Sequence, residues 1–215
     1  MVGLLDVPGL VLSSFGGPFA LRSIVATREG EMLDPELSDE IVAAAQAGDG
    51  EAFRVIYLSL GSAVLGYLRG KGAADPEATT NDVFLALLPK LPGVRNGAQG
   101  LRRLIFTIAH ARLVDEMRQR ERRPRVVEFD PQGHSPIAES AESTALGANI
   151  DPHLIESLRQ LPADQREVLL LRTVADLNVE DVAAIMRRSQ GAVRQLQHRA
   201  VLALRALLAE RRVTK

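Results

Sequence analysis

Apolar residues in this chain recur every three or four positions in two segments, about 36–123 and 152–212, and lose that period between Pro124 and Pro152. A spacing of three to four is the period of a helix with one buried face, so each segment reads as a set of amphipathic helices. The stretch between them carries Pro, Gly, Ser, Glu and Asp and reads as a flexible acidic linker. No convincing strand pattern interrupts either segment. The expected architecture is therefore all-α: two helical modules, at 35–123 and 152–215, joined by a linker at 124–151 and preceded by a poorly patterned extension at 1–34.

Helix boundaries are marked by side chains that satisfy free backbone N–H groups. Ser38 or Asp39 can cap a helix that stops at Gly48, and Asp49 begins another that carries Phe53, Ile56, Tyr57, Leu60, Val64 and Leu68. Asp75 followed by Pro76 opens a third, with Val83, Phe84, Leu87 and Leu88. The segment LPGVRNGAQG, Leu91 to Gly100, is expected to be a loop, and a fourth helix is expected from Leu101 to about Arg122. In the second segment helices start at Asp151–Pro152 and after Leu161–Pro162. Asn178 caps a short helix, with Asp181 near the reciprocal capping-box position. A tight turn at Arg187–Arg188 leads to Ser189, the cap of the last and longest helix.

Charge narrows the function. The formal total is −1, yet Arg102–Arg125 holds eight Arg against three acids and Arg187–Lys215 holds eight basic residues against Glu210 alone. Acidic stretches flank both. Basic modules of this kind suit phosphate contacts, although solvated helix faces have the same composition. With no cysteine, disulfides, thiol catalysis and Cys-ligated zinc are excluded. No phosphate-binding Gly-rich loop, metal cluster or nucleophile–base motif is present, so no enzyme, cofactor or metal is expected. No run of apolar residues suits a membrane span, and the opening residues lack the basic start of a signal peptide, so the expected compartment is the cytoplasm.

On the last helix, Val193, Leu196, Ala200, Leu204 and Leu207 share one arc, and Gly191, Arg194, Gln195 and His198 lie opposite. A short helix, a tight turn and a longer helix with a polar and basic front form a helix-turn-helix pattern, the second helix suited to the major groove. An ordinary helical hairpin with a solvated face is the competing reading of that segment alone.

Taken together, these residues resemble the extracytoplasmic-function sigma factors of bacterial RNA polymerase. The run LPADQREVLLLRTVADLNVEDVAAIMRRSQGAVRQLQHRAVLALRALL is similar to their region 4, through Leu161–Pro162, Gln165–Val168, Asp181–Ala183, Ser189, Gly191, Val193 and His198–Ala200. Ala47–Asp49 with Ala52–Phe53, Asp75–Phe84, and Ile108–Ala109 with Asp115 and Arg118 resemble region 2. Thr79, Ala78, Ala111, Leu196 and Gln197 depart from the family's usual residues; Ala111 stands where an Asn is frequent in the promoter-melting helix.

The resemblance implies an initiation factor that binds core RNA polymerase through its β and β′ subunits, directs it to promoter DNA, and answers to an anti-sigma protein. Asp75, Asn81, Asp82, Phe84, Leu85 and Leu88 would dock on the polymerase. Arg95, Asn96, Gln99, Arg102, Arg103, His110, Arg112, Arg118 and Arg122 would face the downstream element and its melted strand. Arg187, Arg188, Ser189, Gln190, Arg194, Gln195, His198 and Arg199 would meet the upstream element. A helix-turn-helix regulator that binds DNA without polymerase is the alternative; it leaves the 75–123 pattern without a use.

Overall fold

In a computed structural model that describes residues 37–122 and 152–213, the ordered elements are helices, with no strand among the described residues. Four of them precede the break: α1 (Asp39–Gln46), α2 (Gly50–Lys71), α3 (Pro76–Leu87) and α4 (Gly97–Arg122). Four follow it: α5 (Pro152–Gln160), α6 (Ala163–Thr173), α7 (Val179–Met186) and α8 (Gln190–Val213). The 1–34 extension and the 124–151 linker lie outside the described residues.

The caps act where the sequence places them. Ser38 Oγ accepts from the Ile41 N–H at 3.4 Å, Asp49 Oδ1 from those of Glu51 and Ala52 at 2.8 and 3.3 Å, and Asp75 Oδ1 from that of Ala78 at 2.9 Å. Between these starts the apolar faces close on one another. Ile56, Leu60, Val64 and Leu68 of α2 pack with Val83 and Leu87 of α3 and with Leu101, Ile105, Phe106 and Leu113 of α4, all buried. Each such side chain contributes roughly 1.5–3 kcal/mol of burial.

Two expectations are corrected. Phe84 is not a docking residue: it is buried against Tyr57, with ring centroids 4.7 Å apart, because α3 turns that position to the core. The ten-residue loop shrinks to Val94–Asn96, since Leu88–Gly93 forms a 3-10 turn and α4 opens at Gly97 rather than Leu101. The reason is anchoring. Leu91 is buried in the core, and Gln46 Nε2 donates to the carbonyls of Leu91 and Val94 at 3.1 and 2.9 Å. Asp39 Oδ1 accepts from the Ala98 N–H at 2.7 Å, so the first residue of α1 caps α4.

The breaker residues serve that short connection. Asn96 and Gly97 take left-handed conformations, at φ 66° and 51°. A Cβ on Gly100 would overlap the backbone carbonyl of Arg95.

In the second module Val168 and Leu171 of α6, Val182 of α7, and Val193, Ala200 and Leu204 of α8 are buried. Asn178 Oδ1 accepts from the Asp181 N–H at 2.8 Å, and Ser189 Oγ from the Ala192 N–H at 3.2 Å. Between α7 and α8 Arg187 is left-handed, at φ 52°, and the Arg188 N–H returns to the Ala183 carbonyl at 2.9 Å. This closes α7 in one turn and sets the start of α8 beside it.

The two modules are packed on each other and share a continuous apolar core. Helix α6 lies on the C-terminal end of α2. Gly70 permits the approach: a Cβ there would sit 2.8 Å from Leu170 Cδ2.

Replacing Gly100 by Ala sets a carbon against a backbone oxygen that cannot swing aside, and should cost about 1–3 kcal/mol. Gly50→Ala, with nothing within 4 Å of the added Cβ, should be neutral or stabilising. Thermal unfolding followed by circular dichroism separates the two; equal midpoints would contradict the anchored connection.

Candidate nucleic-acid interface

Burial of Val193, Ala200 and Leu204 fixes the orientation of α8 and leaves Gln190, Gly191, Arg194, Gln195, His198 and Arg199 exposed. Arg194, Gln195, His198 and Arg199 line one shallow open depression. Gln190 Oε1 lies 3.5 Å from Arg194 Nη2, one turn earlier, and steadies the guanidinium. The helix start adds its own positive end, which favours an anion such as a phosphate.

Arg187 and Arg188 stand exposed at the turn. Arg188 pairs with Asp164 across the surface, both side chains about half exposed. Such a pair is worth only about 0–1 kcal/mol, so a phosphate can replace the carboxylate. Ser189 has its oxygen committed to the cap, which leaves its hydroxyl proton for a donor role.

Gly191 carries a different kind of information. A Cβ there would meet only Ser189 Oγ, at 4.0 Å, so nothing inside the fold requires a glycine. Gly in a helix costs roughly 0.5–1 kcal/mol against Ala.

On α3 and at its two ends, Asp75, Asn81, Asp82, Leu85 and Leu88 are exposed, with Leu85 at 63% and Leu88 at 46%. Asn81 Oδ1 accepts a hydrogen bond from the Tyr57 hydroxyl at 3.4 Å. Two leucines held open beside amide and carboxylate groups make an exposed amphipathic face.

The third expected group divides. Arg95, Asn96 and Arg112 are exposed, and so is Arg118, which pairs loosely with Asp115 at 3.7 Å. Arg102 is half-buried and engaged. The Arg122 side chain lies outside the described residues. Gln99 and Arg103 are exposed and His110 is half-buried, and all three also meet the second module. Gln99 Nε2 donates to Asp181 Oδ2 at 2.7 Å, and Arg103 Nη1 stands 3.7 Å from Asp181 Oδ1. His110 Nδ1 lies 2.6 Å from Glu167 Oε1. Asp181 is accordingly no capping-box partner; its backbone N–H is capped while its buried carboxylate reaches α4.

Glu167 is the centre of the junction. Its other oxygen accepts from Lys71 Nζ at 2.9 Å, and the Tyr67 hydroxyl donates to Oε1 at 3.4 Å. Lys71 and Glu167 are 8% and 9% exposed, so this is a buried ion pair between modules. Burial pushes the Glu167 carboxyl up, but the His110 hydrogen bond and the charge and hydrogen bond of Lys71 outweigh it and hold the group at about 2. Burial, then the Glu167 charge, pushes the Tyr67 hydroxyl well above its ordinary range.

Sequence reading left Lys71, Tyr67 and Gln46 without a role and gave Glu167 only as a matching letter. One signal was available: Glu167 directly precedes the buried run Val168–Leu171, an unusual place for an unpaired carboxylate.

Among the described residues no group of His, Cys, Asp or Glu is placed to hold a metal ion. No described helix is long and apolar enough to cross a membrane.

Described residues that build only helices, the last of them a helix-turn-helix with a basic outer face, have the architecture of a DNA-binding protein. The family model for sigma-70 region 4 matches residues 157–206, which spans α6, α7 and most of α8. The SigD extracytoplasmic-function sigma factor of Mycobacterium tuberculosis is 32% identical over 186 residues, covering 83% of this chain and 85% of that protein. The BldN sigma factor of Streptomyces coelicolor is 29% identical, over 79% of this chain and 65% of that one. Among solved structures, the Bartonella quintana sigma factor RpoE, crystallised with the anti-sigma factor NepR, superposes with a TM-score of 0.57 at 23% identity over 74% of this chain and 98% of that one. The chain belongs to the extracytoplasmic-function RNA polymerase sigma factors. It acts with RNA polymerase at promoters to initiate transcription, and the family is one of initiation factors, not of enzymes.

Two outcomes follow. Glu167 binds its proton less readily in the fold than free in water, so its contribution is full above the ordinary carboxylate range and disappears as pH falls through about 2. Urea unfolding of the native chain should weaken steeply between about pH 5 and pH 2, and Glu167→Gln should flatten that slope; parallel profiles would contradict the ionised pair. Gly191→Ala should raise stability by about 0.5–1 kcal/mol while lowering promoter-directed transcription; a gain in both would show that nothing approaches α8 there.

Proposed function

We propose a division of labour along the chain, with residues 35–123 acting as the polymerase-docking and strand-opening module and 152–215 as the reader of the upstream promoter element. The exposed α8 face carries this reading. Arg194 and Gln195 are free to reach base edges, an Arg–guanine bidentate pair discriminating by about 1–3 kcal/mol. Gln190, His198 and Arg199 flank them, and Arg187, Arg188, Ser189 and the helix start hold backbone phosphates, which set the register.

Leu85 and Leu88, with Asp75, Asn81 and Asp82 around them, form the polymerase-docking face of α3. Arg95 and Asn96 at the Val94–Asn96 connection supply donors for an unpaired base, whose capture offsets a few kcal/mol of unstacking. Arg112, Arg118 and Arg122 contribute salt-dependent phosphate contacts. The 124–151 linker, with Glu128, Asp130, Glu139 and Glu142, is an acidic connector between the modules. The working compartment is the cytoplasm, where core polymerase and template are found. The RpoE neighbour was solved with an anti-sigma factor, and an inhibitory protein of that kind is the regulatory partner we assign.

The proposal is checked by pairing two substitutions. Arg194→Ala should lower run-off transcription from the cognate promoter at least about tenfold, the equivalent of 1.4 kcal/mol, and leave affinity for core polymerase within about twofold. Leu85→Ser should do the reverse, weakening core binding first. Equal losses of both activities in both variants would overturn the division.

A further inference from the structure

Helix α1 is eight residues long, and its first and last residues, Asp39 and Gln46, both bind the connection into α4. Seven positions make nearly two full turns, so the two side chains share one face, about 10 Å apart along the axis. Gln46 Nε2 donates to the carbonyls of Leu91 and Val94 on the entering side, and Asp39 Oδ1 accepts from the Ala98 N–H on the leaving side. Val94 and Ala98 pack against the core, and between them Arg95 and Asn96 stand exposed. Asn96 is left-handed, a conformation uncommon outside glycine and kept where the surroundings enforce it. Gly97 must be bare for the carboxylate to arrive, since a Cβ there would fall 2.0 Å from Asp39 Oδ1. Val42 and Ala45 are buried, so α1 is itself fixed by the core.

We propose that Asp39 and Gln46 are positioning residues for strand opening: α1 is a splint that holds Arg95 and Asn96 in the arrangement that receives an unpaired base. The proposal deepens the function given above and rests on it, because Arg95 and Asn96 are there assigned to the opened strand. The physical basis is preorganisation. A free segment bearing Arg and Asn would have to be ordered at the moment of capture, and that loss of entropy would be subtracted from the energy that offsets unstacking. With the backbone already bound on both flanks, only the two side chains remain to be ordered. Neither α1 residue has to touch DNA for this, and a carboxylate at position 39 is no partner for a phosphate.

The test uses the full chain with core polymerase on two templates of one promoter, one fully paired and one mismatched across the opened stretch. Asp39→Ala and Gln46→Met each release one flank, while Asp39→Asn keeps an oxygen for the Ala98 N–H. On the paired template Asp39→Ala and Gln46→Met should lose at least about fivefold in run-off transcription, as capture now includes ordering the backbone. On the mismatched template the loss should shrink to within about twofold, since opening no longer depends on capture. Asp39→Asn should stay near the wild type on both. Equal losses on the two templates would overturn the proposal, because a variant that merely unfolds or releases polymerase fails on both alike. Full activity of Asp39→Ala on the paired template would overturn it too. Asp39 is exposed, so that variant decides the matter even where Gln46→Met does not fold.

Base preference separates the splint from the reading beneath it. Promoters changed one base at a time across the downstream element should reveal a preferred base in the wild type. That preference should weaken severalfold in Asp39→Ala and Gln46→Met, as in Arg95→Ala and Asn96→Ala. A preference lost in the last two but kept in the α1 variants would overturn the splint alone. A preference unchanged in Arg95→Ala and Asn96→Ala would instead sink the assignment of the connection to the opened strand.

Discussion

One buried carboxylate, Glu167, sits at the centre of the junction where the two halves of this protein share an apolar core. It enters an apolar junction between α6 and the α2–α4 pair, and it is tolerable there only because Lys71, His110 and Tyr67 converge on it. Leaving one partner of a buried pair without the other typically costs about 3–5 kcal/mol. A buried pair adds little stability over an apolar replacement of the same shape, but it demands one geometry. Here that geometry sets the angle of α6 on α2, and through the α6–α7–α8 corner it sets where the exposed basic face of α8 points.

The rest of the molecule divides its surface by the same logic of what is engaged and what is left open. Val193, Ala200 and Leu204 bury one side of α8, and the opposite side is left to Arg194, Gln195 and His198. On α3 the inward turn of Val83, Phe84 and Leu87 leaves Leu85 and Leu88 outside. The proposed function gives both open faces a purpose, one toward DNA and one toward polymerase.

Much of this was legible in the sequence because it is local. Ser38, Asp49, Asp75, Asn178 and Ser189 announce helix starts through bonds to residues two or three positions on, and the apolar period gives each helix its inner face. The misreadings have a common cause. Phe84 was assigned outward from resemblance, when its neighbour Tyr57 decides its side. The Leu91–Gly100 stretch looked like a long loop because its Pro and Gly residues were counted without Gln46 and Asp39, which bind it from more than forty residues away. The bonds of Gln99, Arg103 and His110 to Asp181 and Glu167 went unforeseen because those carboxylates lie far along the chain, beyond any spacing rule. Resemblance located the modules; only the folded chain shows which of their basic residues are already occupied.

The claim at the centre is that this chain confers promoter choice on RNA polymerase. Run-off transcription with purified core polymerase on a genomic promoter library, with and without the full-length protein, tests it most directly. The account predicts transcripts that depend on the protein and start downstream of two shared sequence elements. Protein-dependent binding to duplex DNA with no polymerase-dependent transcript would contradict it and leave a stand-alone regulator.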